Sequence, residues 1–254
     1  ESASGAARAS TVQQYEKLGL LGSGGAAVVY LVRHLGTKEL FAMKAERATK
    51  ELQILQALRH PFVARLHGAF QDGANLCFVL EFCEGRTLRD VQDFCGGMFT
   101  EEEAKFYAAE VVAALEFVHA MGFVYRDLKP QNVLVQRDGH IRLADFGVAQ
   151  FGDSSRDAAD TYDQPIRRDA NDRIRLRSNS LVGTADYMSP EMILQKPQSS
   201  DMDWWALGCL LYELLYGVGP FQARTCNPDD GAGDPAAQFR AILRCRVSFP
   251  ATPK

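Results

Sequence analysis

The run Tyr125-Arg126-Asp127-Leu128-Lys129-Pro130-Gln131-Asn132, with Asp145-Phe146-Gly147 downstream, constrains this chain more than any other feature. A lone Asp in a loop is most often a turn former. Here an acid, a lysine two residues on and an amide three residues further fit a single task. That task is moving a phosphoryl group from a metal-bound nucleotide to a hydroxyl. Asp127 can orient the attacking hydroxyl and accept its proton, and Lys129 can neutralise charge on the phosphate in flight. Asn132 and Asp145 can offer hard oxygen ligands to magnesium.

The 254 residues suffice for one large domain or two small lobes. A 46% hydrophobic and 24% charged composition is that of an ordinary globular protein. A net charge of −4 gives no reason to expect nucleic acid or an anionic membrane as a partner. Cys77, Cys83, Cys95, Cys209, Cys226 and Cys245 form no C-x-x-C pair, which argues for free thiols in a reducing compartment and against a zinc site or disulfide framework. The most apolar stretch, residues 204–221, is interrupted by Glu213 and reads as a buried core helix, not a membrane span. No secretory signal is visible, so the cytoplasm is the expected location, with the nucleus also open.

Residues 1–11, rich in Ala and Ser, read as a disordered leader. Strand patterns follow at residues 15–20, 28–32 and 40–44, a helical spacing at 49–59, and two further strands at 62–70 and 76–82. The second part is mainly helical. Thr100 caps a long helix running to about His119, short strands are expected at 133–135 and 141–144, a buried helix at 203–216 and a last helix at 236–245. The polar stretch 151–179 reads as a mobile loop. The expected architecture is α+β: a leader at 1–11, a small antiparallel lobe with one helix at 12–84, and a larger helical lobe at 85–254. The lobes would join near residues 81–85 with a nucleotide in the cleft.

Gly22-Ser23-Gly24-Gly25-Ala26-Ala27-Val28-Val29 nearly matches G-x-G-x-x-G-x-V between two strands. Alone it is a plain hairpin turn; in this context it suits a lid whose N–H groups approach phosphates. Lys44 sits on an alternating apolar strand and needs an acid or phosphate, with Glu51 as the candidate partner. Asp203 reads as a helix-start acid that also braces the catalytic loop backbone.

These motifs, together with Gly183-Thr184-Ala185-Asp186-Tyr187-Met188-Ser189-Pro190-Glu191, resemble a protein kinase, and most closely the AGC group of serine/threonine kinases. Tyr125 in place of the commoner His, and Asp203-Trp204-Trp205-Ala206-Leu207-Gly208, carry the AGC likeness. The resemblance implies ATP and Mg2+ as cofactors and protein substrates with Ser or Thr acceptors. It implies Asp127 as catalytic base supported by Lys129 and Asn132, Asp145 and Asn132 as metal ligands, and a Lys44–Glu51 ion pair. Leu21, Gly22, Ser23, Gly24, Gly25, Val29, Ala42, Leu80, Glu81, Cys83 and Leu134 would surround the nucleotide. Leu55, Leu66, Tyr125 and Phe146 would form an apolar spine. Ser180 stands where such kinases carry an activating phosphate, and Arg175, Arg177 and Ser180 form an R-x-R-x-x-S site. Ser180 would be phosphorylated in trans by another copy or by an upstream kinase, and its phosphate would pair with Arg126.

The pattern departs in four places. Lys44 and Glu51 are only seven residues apart, so the helix carrying Glu51 has little to anchor it. Ala26 and Ala27 replace the lid's aromatic tip and third glycine. Thr87 and Gln131 stand where two arginine-reading acids would be, while Glu213 and Asp186 remain. The chain stops at Lys254, short of the last helices and of the arginine that would pair with a buried Glu191, as a C-terminally truncated domain would. A catalytically silent kinase-like module is the alternative reading.

Overall fold

The computed structural model describes residues 12–23, 27–46, 50–152, 168–176, 180, 182–222 and 235–249. The chain divides into two compact units, Glu1–Arg59 with Ala64–Cys83, and His60–Val63 with Glu84–Lys254. Residues 60–63 join the second unit because their backbone is committed there. The N–H of Leu143 donates to Phe62 O at 2.8 Å, Val63 bridges Leu143, and the His60 ring stacks on Phe117 at 4.8 Å.

The first unit is a five-stranded antiparallel sheet in the order β1-β2-β3-β5-β4, built from β1 (Tyr15–Ser23), β2 (Ala27–His34), β3 (Leu40–Glu46), β4 (Leu66–Asp72) and β5 (Asn75–Glu81). Helix α1 (Lys50–Ala57) is its single α-helix among the described residues. Alternation decides its faces. Val32, Met43, Phe70, Cys77 and Val79 form one buried cluster, with Tyr15 stacked on Phe70. Lys44 is opposite Val29 on β2 and Phe78 on β5, and Ala42 is opposite Leu80, so Val29, Ala42, Lys44 and Leu80 share the other face.

The second unit is mainly helical. Helices α2 (Leu88–Phe94) and α3 (Glu101–Ala120) are followed by paired strands β6 (Phe123–Val124) with β9 (Gln150–Phe151), and β7 (Val133–Val135) with β8 (Ile141–Leu143). Then come α4 (Pro190–Ile193), α5 (Asp201–Tyr216) and α6 (Pro235–Arg244). Helix α3 begins at Thr100, whose hydroxyl accepts the Glu103 N–H while Glu103 accepts the Thr100 N–H, a reciprocal capping box. Its fully buried Val111, Ala114, Leu115 and Val118 pack toward α5. Helix α5 starts two residues before the expected position: Ser200 is its N-cap and Asp203 lies in the first turn. Helix α2 was not legible from apolar spacing. Its signal is Thr87-x-x-Asp90, a second capping box with bonds of 3.1 and 3.0 Å.

The 151–179 stretch was expected to be a mobile loop throughout. Residues 168–176 instead form a tight hairpin with Ile174 fully buried. Residues 153–167 and 177–179, like the leader at 1–11, lie outside the described residues. Glu191 is half-buried rather than buried, and it lines a cavity of about 400 Å³ with Arg173, Arg175 and Trp205. No described helix is long and apolar enough to cross a membrane.

Candidate active site

In the first unit, Lys44 Nζ lies 2.5 Å from Glu51 Oε2 and 3.4 Å from Glu46 Oε2. All three side chains are buried, with Glu51 only 2% exposed. An inward lysine on an apolar strand is tolerable because two carboxylates share its charge. The seven-residue spacing reaches because α1 opens at Lys50, which puts Glu51 in its first turn, where a carboxylate also meets the positive end of the helix. Leu21, Gly22 and Ser23 close β1, and Gly22 is opposite Val29. Gly24, Gly25 and Ala26 lie outside the described residues. The Glu81 N–H donates to Arg65 O at 2.9 Å, and Cys83 is buried.

In the second unit the catalytic-looking run is held as a cluster. Asp127 Oδ2 accepts from Lys129 Nζ at 2.7 Å and from Asn132 Nδ2 at 2.8 Å, and Asn132 Nδ2 also reaches Asp127 O. Thr184 was singled out in the sequence only as a family marker, yet it completes the cluster. Lys129 Nζ donates to its Oγ1 at 3.0 Å, and its Oγ1 is 3.5 Å from Asp127 Oδ1. The neighbouring Gly183 has φ +92°, and a Cβ there would stand 2.9 Å from Arg126 O. Only glycine lets the two segments meet this closely. Leu134 is half-buried on β7.

The loop backbone is under local strain. Arg126 has φ +71° and Asp145 φ +56°, both in the left-handed region that side chains avoid. Asp203, fully buried, offsets the first: Oδ1 accepts the Arg126 N–H at 2.7 Å, and Oδ2 accepts the Tyr125 N–H at 2.8 Å. His119 Nε2 also meets Asp203 Oδ2, at 2.7 Å. His119 was missed from sequence, since a helix-end histidine gives no sign of a partner 84 positions on. Tyr125 donates its hydroxyl to Ala144 O and packs edge-on against Phe146, both rings fully buried. Burial, with Asp145, Asp127 and Asp203 nearby, drives the Tyr125 hydroxyl pKa well up, so it stays a donor. Asp145 itself is exposed.

The two remaining acids of the arginine-reading set have partners of their own. The Glu213 carboxylate accepts from Arg89 Nη1 at 2.6 Å and from the Tyr187 hydroxyl, while Asp186 accepts from Gln238. Both acids are therefore engaged within the chain. Thr87 is occupied as the α2 cap. Ser180 Oγ accepts from Arg126 Nη1 at 3.1 Å, while Arg126 Nε donates to Val148 O.

Among the described residues no three or more His, Cys, Asp and Glu side chains gather to hold a metal alone. A magnesium ion that arrives with nucleotide phosphates takes hard oxygen donors and needs few from the protein, such as one carboxylate and one amide. Asp145 and Asn132 are the carboxylate and amide that the sequence resemblance implies for that role.

Compared with known proteins, residues 15–243 match the family described as protein kinase domain. The serine/threonine-protein kinase nrc-2 of Neurospora crassa is 37% identical over 259 residues, covering 94% of this chain and 40% of that protein. Phototropin-1A of Oryza sativa subsp. japonica is 40% identical over 253 residues, covering 91% of this chain and 26% of that protein. A putative ribosomal protein S6 kinase alpha-1 of Caenorhabditis elegans is 36% identical over 257 residues, covering 94% and 28%. The chain thus spans well under half the length of these relatives. They agree with an AGC-type kinase domain. Sequence motifs, the sheet that carries Lys44, the Asp127 cluster and the match over residues 15–243 lead to one conclusion: this chain belongs to the protein kinase family.

Proposed function

We propose that the chain is an ATP-dependent protein serine/threonine kinase of the AGC type, transferring the γ-phosphoryl group of MgATP to Ser or Thr hydroxyls of protein substrates. The observation that carries this reading is the Asp127–Lys129–Asn132–Thr184 cluster. In it a carboxylate able to accept a hydroxyl proton is held beside a cation able to meet the transferring phosphoryl oxygens. Bound magnesium, held by Asp145 and Asn132, would neutralise phosphate charge and orient the chain of phosphates. Within the first unit, Lys44, fixed by Glu51, would contact phosphate, and Val29, Ala42, Leu80, Glu81 and Cys83 would contact the base. The formed Lys44–Glu51 pair favours an active enzyme over a silent module.

Arginine before the acceptor is not expected to be strongly preferred, because Glu213 and Asp186 are engaged internally. We also read Ser180 as an activating phosphorylation site served by an upstream kinase or another copy: the partly buried Arg126 guanidinium already touches its hydroxyl. The cytoplasm is the proposed setting. Incubation with MgATP and peptide libraries carrying Ser, Thr or Tyr acceptors tests the reading. Phosphoserine and phosphothreonine are expected; labelling confined to tyrosine, or none above background, overturns it. Phosphopeptide mapping of active protein in which Ser180 is wholly unmodified would remove the regulatory part.

A further inference from the structure

The hairpin at residues 168–176 sits where the sequence suggested only a polar loop, and its construction is specific. Arg168 bridges Ile174, and the Asp169 N–H donates to Arg173 O at 3.0 Å. Asp169 Oδ1 accepts the N–H groups of Asn171 and Arg173, and Asp172 takes the left-handed conformation (φ +60°) that Asp tolerates in a turn. Asp169 Oδ2 pairs with Arg173 Nε at 2.8 Å and Arg175 Nη2 at 2.9 Å. The turn is therefore closed by its own residues, and Ile174 and Leu176, two apart, face the protein.

Ile174 and Leu176 pack partly on Met188 and Met192, but the hairpin's outward hydrogen bonds and ion pairs among the described residues lead to the end of α3 and the start of α5, the elements that carry His119 and Asp203. Ser200 N–H donates to Ile174 O, Leu176 N–H donates to Gln198 O, and the Ser200 hydroxyl accepts the Ile174 N–H, so the residues that start α5 are bonded to the hairpin. Arg173 Nη1 meets Asp201 Oδ2 at 2.9 Å on the first turn of the same helix. Arg168 Nη2 donates to His119 O at 2.9 Å, and the His119 ring holds Asp203. Ile174 and Leu176 pack in one cluster with Val124, which precedes Tyr125, and Met202, which precedes Asp203.

We propose that this hairpin is a brace for the catalytic loop, with Arg168, Ile174 and Leu176 as positioning residues that fix Asp203 and, through it, the strained Tyr125–Arg126 backbone. The role of the brace in turnover rests on the kinase reading above; its effect on the loop backbone does not. The Tyr125 and Arg126 amides are held only where Asp203 is held, so releasing the hairpin should let them open.

The test uses the full chain with Arg168→Ala and the double variant Ile174→Ala with Leu176→Ala, read by NMR amide exchange at Tyr125 and Arg126. Exchange about tenfold faster at both amides is expected, with wild-type rates restored by Arg168→Lys. In phosphate transfer, kcat should fall about tenfold while KM for ATP stays within about twofold. Unchanged exchange at these amides, with only a lower Tm, would overturn the brace. Should the double variant fail to fold, Ile174→Val alone is expected to speed the same amides by about threefold, and no change there would count against the proposal equally. A wild-type chain without kinase activity would refute the functional reading while leaving the exchange result decisive for the brace.

Discussion

Replacing Asp203 by Asn tests how the catalytic loop is held. The carboxylate accepts two backbone N–H groups and faces His119, and it is fully buried. Asn is the same shape but keeps one acceptor oxygen and turns the other into a donor. If that oxygen faces Arg126 N–H, the Tyr125 N–H meets an NH2 group; if it is flipped, Arg126 N–H is orphaned. Either way one buried amide loses its partner. A hydrogen bond to a charged group is worth about 1.5–3 kcal/mol, and a buried donor left unsatisfied costs about 1–3 kcal/mol. These overlap, so a net loss of about 2–4 kcal/mol is expected, which a domain of about 5–15 kcal/mol survives. The left-handed Arg126 backbone stores a further ~1–3 kcal/mol that favours relaxation once its acceptor is gone. A shift of about 1 Å in Asp127 would lower kcat about 100-fold. Urea unfolding followed by fluorescence of Trp204 and Trp205, beside a phosphate-transfer assay, reads both effects. A variant within about 0.5 kcal/mol and twofold in kcat of wild type would refute the reasoning.

Glu51→Gln should destabilise the chain by about 3 kcal/mol, the low end for a broken buried pair because Glu46 remains beside Lys44. Glu46→Gln should cost less, and the reverse order in chemical denaturation would contradict the assignment. Gly183→Ala places a Cβ 2.9 Å from Arg126 O at a φ of +92°, so kcat should drop about tenfold or more, and an unaffected kcat would show that the two segments need not meet. The hydrogen bond and charge of Glu110 hold the His140 pKa above its ordinary 6.5. The folded state therefore favours protonated His140, so its contribution is complete below pH 6.5 and is lost as pH rises through the raised value. Tm measured across that window should decline in wild type more than in His140→Gln; equal slopes would count against the pair.

Much of the site was legible because its residues are close in sequence or on short strands with plain alternation. Asp127, Lys129 and Asn132 fall within six positions, and the 42–44 strand shows which face Lys44 takes. Thr100-x-x-Glu103 announced α3 for the same local reason. What escaped was long-range. His119 finds Asp203 84 positions on, and Arg89 finds Glu213 124 positions on, pairings no local pattern encodes. The hairpin escaped because only two apolar residues, Ile174 and Leu176, anchor it in a charged stretch, too few for a period to emerge. Thr87 was read only as the place of a missing arginine-reading acid and not as a cap, which hid α2.

Transfer of label from γ-labelled ATP to a Ser/Thr peptide library, comparing the chain with its Asp127→Asn variant in the presence of Mg2+, tests the central claim most directly. Loss of a general base predicts a rate at least about 100-fold lower in the variant. Equal rates for the two proteins, or no transfer by a wild-type chain that binds nucleotide, would contradict it.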